Sequence, residues 1–74
     1  MNNYLKCFEE MKDLYTASIN NAMIAYCAKM TKRYNKNEIA LDELIKLDRM
    51  NTQIRYDLLN MIRGLEEAMI DADR

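Results

Sequence analysis

The chain has no histidine, no proline and no tryptophan, one glycine and one serine. Each scarcity excludes something. Without histidine, Ser18 has no imidazole to activate its hydroxyl, and neither cysteine has a histidine partner. A closed zinc site needs four Cys/His-type ligands, and two thiols do not supply them. Without a Gly-rich loop there is no phosphate cradle. The acidic pairs Glu9-Glu10, Asp42-Glu43 and Glu66-Glu67 are adjacent in sequence, so on a helix they point about 100° apart and do not converge on one bond. These absences predict a protein with no catalytic residues, no metal and no cofactor.

Cys7 and Cys27 fall in what reads as one helix. Twenty residues at about 1.5 Å rise part them by roughly 30 Å, against the ~7 Å between Cα atoms that a disulfide tolerates. That leaves free thiols, suited to a reducing compartment, or pairing between chains. The longest uninterrupted apolar run, Ala22 to Ala28, is far short of the ~20 residues of a membrane span. The opening Met-Asn-Asn-Tyr-Leu-Lys-Cys-Phe-Glu-Glu is too acidic and too interrupted for a secretion signal. The expected location is the cytoplasm.

Half of the 74 residues are apolar and 31% are charged, interleaved throughout. This is the composition of amphipathic helices. The pattern predicts an all-α antiparallel hairpin: a helix over about 3–33, a turn over 34–37 and a helix over about 38–71. On the first helix Tyr4, Phe8, Met11, Tyr15, Ala22 and Tyr26 form the main apolar stripe, widened by Leu5, Ile19, Met23 and Met30. Asn35 with Glu38 resembles a capping box, and Asn37 is an equally good N-cap. The second helix can be written in heptads, with Leu44, Asn51, Leu58 and Leu65 at one seam position and Ala40, Leu47, Ile54, Met61 and Ala68 at the other. Leu44, Leu47, Asn51, Ile54, Leu58, Met61 and Leu65 are therefore the expected core and dimer residues, with Asn51 setting register. The alternative is a helix break near Asp48 to Thr52. Gly64 inside the second helix suggests close helix packing.

A core of this size rarely supplies more than ~3–5 kcal/mol unaided. With disulfide and metal set aside, the remaining support is a second subunit. Leu41, Ile45, Ile62 and Met69 lie beside the main stripes, and two hairpins packed as a four-helix bundle would bury them. A homodimer is expected.

Net charge is −1, with the signs segregated. Lys29, Lys32, Arg33 and Lys36 gather at the turn. Glu9, Glu10, Asp13, Glu66, Glu67, Asp71 and Asp73 gather where the chain ends meet. The basic tip with Tyr34 could touch nucleic acid, although such domains are usually far more basic overall and positive charge also suits a helix C-terminus. The acidic end could dock on a basic protein surface, competing for a site built for DNA phosphates, or could simply keep the protein solvated.

The short chain, rich in Asn, Lys, Ile and Tyr, resembles across its whole length the small host-takeover proteins of staphylococcal phages, one group of which inhibits the bacterial replication sliding clamp. The resemblance implies a non-enzymatic inhibitor in the host cytoplasm that binds the clamp and blocks its loading onto DNA. No segment has the Gln-x-x-Leu-Phe character of clamp-pocket peptides; Gln53 is followed by Ile54-Arg55-Tyr56. The resemblance therefore implies contact with the clamp's basic DNA channel. The competing readings are a small nucleic-acid binder and a coiled-coil regulatory module.

Overall fold

A computed structural model describes residues 3–73, with side chains to residue 72. Two helices of 33 residues each, α1 (Asn3–Asn35) and α2 (Leu41–Asp73), form an antiparallel hairpin. α2 runs without a break through Asn51 and Thr52.

The connection is built from main-chain chemistry. Asn37 has φ 60°, the left-handed conformation that asparagine tolerates better than most residues. Glu38 N donates to Arg33 O (2.9 Å) and Asn37 N to Tyr34 O (3.0 Å), the paired bonds of a Schellman motif. Asn37 thus ends α1, where the sequence had suggested an N-cap for α2. Arg33 and Glu38 hold the same two ends by an ion pair of 3.4 Å. α2 starts without a side-chain cap. Ala40 O accepts from Leu44 N at 3.0 Å, and alanine offers no oxygen to the first-turn amides. Directly after the turn, Ile39 is buried, and so is Met30 one turn before the end of α1. These are the two buried apolar side chains among the described residues, and neither is wholly enclosed.

The seam between the helices has an eleven-residue period. On α1 Leu5, Phe8, Lys12, Thr16, Ile19, Met23, Cys27, Met30 and Tyr34 are half-buried or buried, in steps of three, four and four, with Asn20 half-buried beside Ile19. On α2 the corresponding positions Leu44, Leu47, Asn51, Arg55, Ile62, Glu66 and Met69 keep nearly the same rhythm, with Leu59 between Arg55 and Ile62. Eleven residues in three turns is 3.67 per turn, close to the natural 3.6, so the inner stripe runs almost straight along each helix.

This corrects the heptad expectation. Leu44, Leu47 and Asn51 face the hairpin seam, as the heptad also requires. Beyond Asn51 the two periods part, and Ile54, Leu58, Met61 and Leu65 are exposed, by 55%, 39%, 62% and 52%. On α1 the roles of the two stripes are exchanged. Leu5, Ile19, Met23 and Met30 turn inward, while Tyr4, Met11, Tyr15 and Tyr26 are exposed. Leu41 and Ile45 remain outside, whereas Ile62 and Met69 belong to the seam. Gly64 has no atom within 4 Å of where a Cβ would stand, so it serves no close approach in the hairpin.

Candidate functional site

The seam is held by polar pairs set among apolar ones. Near the chain ends Lys12 Nζ meets Glu66 Oε2 at 2.8 Å. Near mid-length Arg55 Nε donates to Asn20 Oδ1 at 2.6 Å. Nearer the turn, Asn51 Nδ2 donates to the Met23 carbonyl oxygen (3.0 Å) and approaches Cys27 Sγ (3.4 Å), while the Cys27 thiol reaches Asp48 Oδ1 at 3.2 Å. The stems of Lys12 and Arg55 lie along apolar neighbours and bring their charges to partners on the facing helix.

Two groups are shifted by these pairs. Glu66 raises the Lys12 ammonium above its ordinary value, first by hydrogen bonding and then by charge. The Cys27 thiol is also raised, first by its hydrogen bond to the Asp48 carboxylate and then by burial. A raised thiol holds less thiolate at neutral pH and is the less nucleophilic for it. Cys7 and Cys27 are both free. Among the described residues no cluster of three or more His, Cys, Asp or Glu could hold a metal ion. No helix there is long and apolar enough to cross a membrane.

The acidic residues separate into two roles. The hairpin brings Glu9, Glu10 and Asp13 of α1 to the same end as Glu66, Glu67 and Asp71 of α2, and the Lys12–Glu66 contact fixes that proximity. Glu9, Glu10, Asp13, Glu67 and Asp71 are exposed. Glu66 is half-buried and engaged by Lys12, so its carboxylate is shared with the hairpin. The side chain of Asp73 lies outside the described residues. At the other end the basic tip is partly offset by the Arg33–Glu38 pair and by Asp42 and Glu43 in the first turn of α2.

Comparison of the chain with known protein families, with curated proteins and with solved structures finds no match.

The most extended surface feature is apolar. Tyr4, Tyr15 and Tyr26 recur at intervals of eleven, and so do Met11 and Ala22, all on the outer flank of α1. On α2 Met50 recurs as Met61 and Ile54 as Leu65. One open groove is lined by Ser18, Ala22 and Tyr26 from α1 with Ile54 and Leu58 from α2. A second joins Tyr26 to Met50 and Ile54, and a third runs past Tyr4, Met11 and Tyr15. The two outer stripes therefore share one broad side of the hairpin. The sequence names most of these residues as core or dimer positions, and the hairpin by itself leaves them outside its seam. The eleven-residue spacing of Tyr4, Tyr15 and Tyr26 was the signal that separates outer stripe from inner.

Proposed function

We propose that this chain is a non-enzymatic binding protein that works as a homodimeric four-helix bundle and engages a macromolecular partner through the acidic end of the hairpin. The observation that carries this reading is the exposure of its apolar residues. Among the described residues only Met30 and Ile39 are buried, while Tyr4, Ile54, Met61 and Leu65 are each more than half exposed. A surface of that kind is a feature of interaction proteins. The three grooves on this side are lined chiefly by apolar side chains, and in the further groove near the turn, where Cys27 meets Asp48 and Arg49, the carboxylate keeps the thiol protonated rather than activating it.

The acidic end supplies the second contact. Glu9, Glu10, Asp13, Glu67 and Asp71 form an exposed carboxylate cluster suited to a basic surface. The choice of partner rests on the resemblance to staphylococcal-phage takeover proteins, which implies the DNA channel of the sliding clamp. Carboxylates there would occupy positions meant for phosphates and block loading onto DNA.

Titration of purified bacterial sliding clamp against the protein tests the partner. Wild type is expected to bind. The triple variant Glu9→Lys, Glu10→Lys, Glu67→Lys is expected to bind at least about tenfold more weakly, with unchanged helicity. Absence of wild-type binding removes the clamp, and equal affinity of the variant removes the acidic end. Sedimentation equilibrium tests the dimer separately.

A further inference from the structure

Resting on the dimer reading above, we propose that the apolar side bearing Tyr15, Tyr26, Ile54, Leu58 and Met61 is covered by a second copy of this chain, laid so that the turn of each hairpin lies beside the chain ends of the other.

Three observations lead there. The first is the thinness of the hairpin. Its Cα atoms span 56 × 17 × 9 Å, a single layer of two helices with no interior of its own. One more layer of the same kind turns the outer stripes into a core. The second is area. The stripe from Tyr4 to Tyr26 covers 23 residues, roughly 33 Å of helix, and two helices side by side are roughly 20 Å wide. The footprint is roughly 650 Å² per copy, or about 1,300 Å² in all, inside the range of specific interfaces. The side chains suit the role: aromatic and methionine residues are enriched at interfaces.

The third observation fixes direction. Residues 20–55, the half nearer the turn, carry seven basic and four acidic side chains. The remaining residues carry four basic and eight acidic ones. Each hairpin is thus positive at the turn and negative at its ends. A two-fold axis along the hairpin would set like charges together at both ends of the bundle. An axis across it sets each positive half beside a negative one, which is attractive at both ends. The apolar stripe permits this second arrangement because it is centred within about one helical turn of mid-length, around Tyr15 on α1 and Leu58 on α2, so most of the overlap survives reversal.

The opposite broad side offers a different prospect. Ile24 and Tyr56 are exposed there, and nearer the turn Ile45 borders a groove with Thr31, Leu44 and Arg49, a shorter apolar run than the one from Tyr4 to Tyr26.

The test measures distance and association together. Nitroxide labels are placed at Lys36→Cys, beside the turn, in a Cys7→Ser, Cys27→Ser background, and the label separation is read by pulsed electron paramagnetic resonance. The expected separation is comparable with the 56 Å length of the hairpin. A separation under roughly half that length means that the two turns lie together. That result overturns the direction and leaves the dimer standing. In unlabelled protein, Ile54→Glu and Leu58→Glu are each expected to weaken dimerisation by more than about tenfold, while Ile24→Glu and Tyr56→Glu leave it unchanged. The reverse pattern overturns the choice of side. A monomer at millimolar concentration in all cases overturns the dimer itself. Clamp binding is scored independently, so loss of either reading is distinguishable from loss of the other. Raising salt is expected to weaken the opposed arrangement and would strengthen one with like charges adjacent.

Discussion

Asn51 Nδ2 donates to the main-chain carbonyl oxygen of Met23 across 3.0 Å, tying the middle of α2 to a fixed point on α1. That carbonyl already belongs to a helical ladder, so the amide adds a bond without rescuing an orphaned acceptor. Asn51→Leu should therefore cost less than about 1 kcal/mol, because apolar packing replaces a satisfied polar contact. Asn51→Asp sets a carboxylate against the Met23 oxygen and the Cys27 sulfur, beside Asp48, and should cost about 1–3 kcal/mol at neutral pH. Urea denaturation of the two variants checks the order. Equal losses would mean that the amide directs no contact between the helices.

The turn makes a second prediction. Asn37 holds φ 60°, where a side chain with a Cβ is strained and glycine is not. Asn37→Gly should be neutral within a few tenths of a kcal/mol, and Asn37→Ala should lose about 1 kcal/mol. Thermal melts at matched protein concentration separate the two. Comparable stability of both variants would exclude the left-handed turn.

Gly64 lies in the body of α2, with open space where its side chain would be. Gly64→Ala should stabilise by about 0.5–1 kcal/mol through helix propensity alone. Over a chain of this length that is a rise of roughly 3–8 °C in melting temperature. A fall instead would reveal another chain packed closely against this glycine.

Alkaline pH gives a fourth prediction. The Cys27 thiol is raised above its ordinary 9.0 because, when protonated, it donates to Asp48. The folded form thus holds the proton more tightly than the unfolded one. Its contribution to stability is complete below about pH 9 and is lost as pH rises through the raised value. Lys12, raised above 10.5 by Glu66, adds loss of the same sign at still higher pH. Urea midpoints measured from pH 8 to pH 10 should fall, and Cys27→Ala should flatten the early part of that fall. An unaltered slope in Cys27→Ala would assign the fall to other groups.

Two helices, their antiparallel course and the approximate position of the turn were legible in the sequence. Interleaved apolar and charged residues admit little else, although the turn expected over 34–37 falls over 36–40, because α1 continues through Tyr34 and Asn35 and α2 begins at Leu41 rather than at 38. The seam was not legible, because each helix carries two apolar stripes rather than one. On α2 the seven- and eleven-residue repeats coincide at Leu44, Leu47 and Asn51 and diverge only from Ile54 onward. Which stripe turns inward is set by the turn, where Ile39 and Met30 are buried beside the Schellman motif. The charged seam residues could not be picked out, and Glu66 was grouped with the acidic surface, because a charge on a helix usually faces solvent. Lys12, Arg55 and Glu66 are exceptions because each finds a polar partner on the facing helix, a relation between residues far apart in sequence. For the same reason Glu66 cannot be grouped with Glu67: adjacent in the chain, one closes the hairpin and the other meets solvent.

A layer of Cα atoms 9 Å thick places every side chain at most one neighbour away from water. Such a hairpin draws little stability from its own seam, and under the proposed dimerisation most of it would come from the second copy. Dilution would then act on it as a denaturant, and its melting temperature would become a function of how much of it is present. In a cell the protein would pass abruptly from proteolysed to persistent once synthesis outruns dissociation, so the amount made would set both its lifetime and its shape.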